Sequence, residues 1–182
     1  MREQFQLFAE QWWVNLLILV PLGAYYFWRR KGLALSREQL TFTALFGIGF
    51  GIVEAAVVVY LRIATGLIYA SPEEILSLLH VFPVHLFLIE LLREIATISM
   101  LVAVAFLGAH ALKERFALFL WAFAFWDIVY YVALWGMIGW PQSLTTPDIL
   151  FLIPVPWLAQ IWFPILVSTG TLCAVILSLR KR

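Results

Sequence analysis

"HLFLIELLREIATIS", residues 85–99, decides how this chain folds: it lies inside the longest apolar run, yet it carries Glu90, Arg93 and Glu94 within five consecutive positions. Apolar residues continue on both sides, giving the segment the character of a bilayer span, which needs about 20 mostly apolar residues. An ionisable side chain at the centre of such a span costs about 2.5–3.5 kcal/mol on insertion scales, and it marks a functional site by default. The rest of the chain has to say whether the bilayer reading holds and what balances these charges.

Composition supports the bilayer. Of 182 residues, 64% are hydrophobic and 13% charged, and the mean hydropathy is +0.95; soluble domains have about 45–50% apolar and about 25% charged residues. Five segments qualify as spans: 12–28, 41–61, 82–109, 116–138 and 158–179. The first is too long for the apolar core of a signal peptide, contains Asn15 and Pro21 and lacks a small-x-small cleavage signal, so it reads as a retained span. The expected fold is all-α: a polytopic transmembrane helix bundle, one domain over 1–182, with five spans, a short interfacial helix and an apolar Pro/Trp-rich outer loop. "SPEEILSLLH" (71–80) is the interfacial helix, with Ser71 at the N-cap, Pro72 at the first helical position and Glu73 and Glu74 in the first turn. "GWPQSLTTPDILFLIPVPW" (139–157) is the outer loop; it has four prolines, no Lys or Arg, and a helix-start signal at Thr146-Pro147-Asp148. A segment this apolar is expected to lie on, or dip into, the outer half of the bundle.

Orientation follows from basic residues in the short loops. Arg29, Arg30, Lys31 and Arg37, then Lys113 and Arg115, then Arg180, Lys181 and Arg182 fall on one side; Arg2 and Arg62 fall on the other. This predicts a multi-pass inner-membrane protein with its N-terminus outside and its C-terminus cytoplasmic.

At about 100° per residue, Glu90, Arg93, Glu94 and Thr97 share one helix face, which Leu101, Ala105 and Gly108 continue inward. In the second span, "GIGFGIVEAA" leads from a Gly47/Gly51 close-packing pair to Glu54. In the fourth, "FAFWDIVYY" sets Tyr130 and Tyr131 beside Asp127, each with a hydroxyl to donate. At 1.5 Å per residue the charged positions of the three spans lie roughly 12–17 Å below the outer interface, so they share a layer. The candidate site for substrate or proton is therefore Glu54, Glu90, Arg93, Glu94, Asp127, Tyr130 and Tyr131. Four ionised carboxylates against one arginine would leave a net charge of about −3 in low dielectric, which desolvation costs forbid. Some must be neutral, or something positive must join them.

Bland readings stand beside this one. Arg93 with Glu90 or Glu94 can be a register-fixing ion pair, and Asp127 with its tyrosines a satisfied packing network. His80 and His85 read as interfacial residues, and His110 lies at the far end of its span, an arrangement that excludes a pair of bis-histidine haems. In "ELLRE", Arg93 stands where a di-metal helix motif has histidine. No metal is assigned, although Glu54, Glu94, Asp127 and His80 could form an unorthodox oxygen-rich site, and the cofactor is left open. Cys173 is alone, which excludes an internal disulfide, and its apolar setting reads as a buried helix position. Nucleotide, zinc-protease and nucleophile-elbow motifs are absent, and no basic aromatic patch suits nucleic acid.

"WDIVYY" together with "GWPQSLTTPDILFLIPVPW" resembles predicted bacterial integral membrane proteins of unassigned function, over the last third of the chain. The resemblance implies a bacterial inner membrane and no particular activity. From the charged layer itself, proton- or cation-linked transport of a small solute ranks first. An intramembrane enzyme acting on a lipid or quinone, with or without a metal, ranks second, with Asp127 or Glu54 as general acid/base and Arg93 holding an anionic group. The third reading is a non-catalytic membrane subunit. The expected partners are the lipid bilayer and the solute, proton or cation, with room for a second copy of the chain or a partner subunit.

Overall fold

The computed structural model describes residues 9–66 and 84–180, with side chains from 87 onward in the second block. The expected interfacial helix 71–80, His80, Phe82, the side chain of His85, and Arg2, Lys181 and Arg182 lie outside the described residues.

The chain is mostly helical. A 3-10 segment, Val14–Ile18, runs into α1, Leu19–Trp28. Three long helices follow: α2 (Arg37–Thr65), α3 (Val84–Gly108) and α4 (Leu112–Ile138). These three are long and apolar enough to cross a membrane. A hairpin of β1 (Pro147–Ile149) and β2 (Leu158–Gln160) precedes the last helix, α5 (Trp162–Leu177). The first and fifth expected spans are the short ones: Val14–Trp28 and Trp162–Leu177 extend roughly 25 Å each by helix rise, against about 30 Å of hydrocarbon.

Local chemistry sets the helix limits. Ser36 and Gln39 form a reciprocal capping box, Gln39 N–H donating to Ser36 Oγ at 3.1 Å and Ser36 N–H to Gln39 Oε1 at 2.7 Å. That box starts α2 a turn before the apolar run. Gly66, at φ 73°, ends α2, and Gly139, at φ 66°, ends α4; left-handed backbone suits glycine there.

The bundle is built around α4. Half of its apolar window is buried, against 28% for α2 and 22% for α3, as expected of a helix that is apolar all round. The α2–α4 contact is closest at the glycines. A Cβ on Gly47 would sit 2.5 Å from the Ala122 carbonyl oxygen, and one on Gly51 would sit 2.7 Å from that of Trp126. The small pair read from the sequence thus lets two backbones touch. Helix α5 packs on α4 and α1, and α3 packs mainly on α4. Leu101 and Ala105 are buried along the inward face of α3, as the helical periodicity predicts.

The outer loop departs from expectation. Thr146-Pro147-Asp148 starts a strand, not a helix, so the chain is not purely α. Asp148 pairs with Ala159 in an antiparallel register, and Leu150 N–H to Trp157 O (2.8 Å) and Trp157 N–H to Phe151 O (2.7 Å) extend the ladder. Pro154 and Pro156 cannot continue a helix, and Ile149 to Ile153 is a β-favouring run, so the prolines outweigh the capping signal. Pro147 is tolerated at a strand's first residue because it owes no ladder N–H there. Residues before the first helix brace this hairpin, with Glu10 N–H donating to Leu158 O at 2.9 Å and Leu158 N–H to Gln11 Oε1 at 3.1 Å.

The opposite end is closed. Trp28, Leu33, Trp121 and Val175 form one buried cluster, and Trp121 Nε1 donates to Leu40 O at 2.9 Å. Leu33 N–H bonds Ser178 O (2.8 Å) and Arg180 N–H bonds Leu33 O (3.1 Å), a parallel bridge across the bundle end.

Candidate functional site

Glu54 follows from the glycine pair: two close-packed turns carry it from the α2–α4 contact into the space where α3 approaches. It is buried at 4% exposure. Arg93 Nη1 donates to Glu54 Oε2, and Arg93 Nε and Nη2 donate to Glu90 Oε2 at 3.0 and 2.8 Å. Thr97 Oγ1 donates to Glu54 Oε1 at 2.6 Å. One guanidinium therefore bridges two carboxylates across two helices, and the carboxylate on the neighbouring helix is the more buried of them.

Glu94 is not an ion-pair partner of Arg93. Its side chain, 8% exposed, turns to the hairpin, where Oε1 accepts the Leu152 N–H at 2.8 Å. The other oxygen, Oε2, is buried and makes no hydrogen bond of normal geometry, the Ile153 amide adding at most a weak contact.

Asp127 is likewise placed differently from the sequence reading. Its hydrogen bond comes from Ser168 of α5, Oγ to Oδ2 at 2.7 Å, and not from either tyrosine. Tyr131 donates instead to Asp148 Oδ2 of β1, at 3.0 Å, while Tyr130 stacks on Trp126 at 6.3 Å between ring centroids. A helix places Tyr131 a turn from Asp127 but leaves the hydroxyl's aim to the neighbouring layer, and here the hairpin supplies a nearer acceptor.

Asp148 was absent from the sequence-level site. It is 7% exposed, and burial pushes its carboxyl up to about 6, against the opposing pull of the Arg62 charge and the Tyr131 hydroxyl. Arg62 is buried as well, its guanidinium 4.0 Å from the Trp140 ring centroid. The available signal was a lone acid in an otherwise uncharged run of 19 residues, 139–157. Ser168 and Thr171, one turn apart on an apolar helix, were a fainter one.

Six of the seven residues expected from the sequence, Glu54, Arg93, Glu94, Asp127, Tyr130 and Tyr131, line a single cavity of about 600 Å³ together with Asp148; the seventh, Glu90, stands behind Arg93. That volume falls in the usual range of about 300–1,000 Å³ for small-molecule sites. Most of the remaining wall is apolar or aromatic, including Phe123, Trp126, Phe151 and Trp157. Phe151, at the hairpin tip, packs within 6.3 Å of Phe123 and Trp126 and 5.2 Å of Trp157. Leu17 and Val20 line one flank and Ile95 and Ser99 another; Ile95 is 49% exposed. Among the described residues α1 and α3 make no extensive contact.

Among the described residues, no three His, Cys, Asp or Glu side chains converge as metal ligands. Cys173 is exposed on the outer surface of α5, contrary to its expected burial; its neighbours Thr171 and Ala174 take the inward positions. Comparison with protein-family models, curated proteins and solved structures gives no match for this chain.

Proposed function

We propose that the protein is a proton-linked carrier of a small solute, set in a bacterial inner membrane by five crossings with the N-terminus outside and the C-terminus cytoplasmic. Supporting the five crossings are the two short apolar helices, which pack on each other, α5 also packing on α4, and which extend at their outer ends into the hairpin and the segment that braces it. The basic residues Arg29, Arg30 and Lys31 between α1 and α2, and Lys113 and Arg115 in the first turn of α4, support the orientation.

One observation carries the functional reading. Arg93 is taken up by Glu54 and Glu90, which leaves Glu94 and Asp127 as further carboxyls in the same cavity that make no ion pair among the described residues. Uncompensated carboxylates in low dielectric hold protons or attract a cation, and the cavity has room for a solute beside them. The solute enters from the outer side, beneath the hairpin. Protein reconstituted into vesicles with an inward acid gradient should show proton flux dependent on added solute, abolished by Asp127→Asn. Flux that persists in this variant would remove Asp127 from the proton path and sink the reading.

A second reading, an intramembrane enzyme acting on a lipid or quinone, draws on the lack of an extensive α1–α3 contact among the described residues beside the cavity. A long apolar chain could lie across that gap while its head reached Asp127 and Arg93. Recovery of a chemically altered lipid after incubation with the purified protein would favour it over transport.

A further inference from the structure

We infer that the solute is a hydrophobic organic cation, an aromatic or alkyl ammonium ion, seated between Glu94, Asp127 and the aromatic wall. The inference rests on the transport reading of the same cavity and names its substrate class.

Three independent features of the cavity converge on this class. The first is charge. Glu54, Glu94, Asp127 and Asp148 line the cavity, Arg93 is the cation among its lining residues, and Arg62, packed against the Trp140 ring, is not one of them. An anionic solute would meet surplus carboxylates, and like-charge juxtaposition is costly where water is excluded. The second is an unmet hydrogen-bonding demand. Among the described residues Glu94 Oε2 is a buried acceptor with no hydrogen bond of normal geometry, which calls for an N–H or O–H donor, and an ammonium supplies both donor and charge; the indole N–H groups of Trp126 and Trp157 in the same wall are also unpartnered among the described residues, so the demand for a cation is that of Glu94. The third is the wall. Phe123, Trp126, Phe151 and Trp157 line the same cavity as the acidic groups, and aromatic rings attract cations. A proton or an alkali ion needs neither a cavity of about 600 Å³ nor this aromatic lining.

Exchange follows from the charge balance. When an ammonium ion takes its place beside a protonated carboxyl, the acid gives its O–H proton to water and the site keeps its charge. The apolar body lies against Leu17, Val20 and Ile95 of the lining, and the carboxylates receive the head.

The test uses three probes with one skeleton: phenethylammonium, phenethyl alcohol and phenylacetate, titrated by calorimetry against the intact protein in lipid nanodiscs. The ammonium should bind at least about tenfold tighter than the alcohol, a difference of about 1.4 kcal/mol, and phenylacetate more weakly still. Glu94→Gln should erase that preference while the thermal transition stays cooperative. Trp126→Phe, which keeps the ring and loses the indole N–H, should retain it. Equal binding of all three probes, or a preference for phenylacetate, would overturn the inference and leave proton-linked transport standing. Binding of the ammonium with no proton released into weakly buffered solution would uphold the substrate class and overturn the proton coupling.

Discussion

Arg93 shows how far single residues could be read in advance. Its presence in a span, and its need for an acid, were legible from spacing alone, because Glu90 lies on the same face one turn away. Its cross-helix partner was not, since Glu54 is 39 positions distant and Glu94 was an equally plausible partner on the same helix. Arg93→Ala should lower thermal stability in detergent by roughly 3–5 kcal/mol, as removal of one partner strands the other. Combining it with Glu54→Gln should recover more than half of that loss, whereas combining it with Glu94→Gln should recover little. Equal recovery in the two double variants would contradict the pairing seen here. Asp148 gives a prediction of opposite sign to the usual surface acid. Its folded carboxyl titrates at about 6, above the ordinary 3.8, so its contribution is fully present below about pH 4 and is lost as pH rises through about 6. Hairpin docking, followed by tryptophan fluorescence, should loosen over that window and stay level above it. Asp148→Asn should flatten the curve.

Helix and strand elements were legible where one periodicity dominated. The stretch from Gly47 to Glu54 announced a tight contact, and a methyl group at either glycine would meet the facing backbone. Gly47→Ala should destabilise by about 1–3 kcal/mol, the usual cost of forcing atoms into a packed contact. Gly49→Ala, where nothing lies within 4 Å of the added carbon, should be neutral or slightly stabilising. A matching loss at both positions in a thermal melt would mean that the α2–α4 contact does not depend on a glycine at 47. The hairpin was misread because Thr146-Pro147-Asp148 satisfies the local rules for a helix start; the prolines seven and nine positions after Pro147 and the pairing with residues beyond them decided otherwise. Strand pairing is non-local, and a local capping rule carries no information about it. Likewise the sequence reading placed Cys173 inward on composition alone, whereas the helix phase set by Thr171 and Ala174 turns it outward.

Across the whole molecule, the membrane class was legible from composition, and the convergence of the charged layer from helix rise. What stayed hidden was the partition of that layer into an arginine-bridged pair, a hairpin latch and an acid held by α5, because each depends on which helices are neighbours. The orientation has a direct check. After Cys173→Ser, single cysteines placed in 29–36 should react with impermeant maleimide only in inside-out vesicles, and cysteines at 142–145 only in right-side-out ones; the reverse pattern would invert the access side. The closed end also bears on how the protein is made. Leu33 exchanges backbone hydrogen bonds with residues on either side of Leu179, and Arg180 reaches the Lys31 carbonyl 149 positions away along the chain. Helices enter the bilayer in order of synthesis, so the first loop must wait, with its donor and acceptor solvated, until residues 178–180 have been threaded and packed. The early intermediate is therefore a bundle open at the end this bridge later closes, and this stage of biogenesis is the one at which a membrane chaperone or a quality-control protease would find the bundle unfinished.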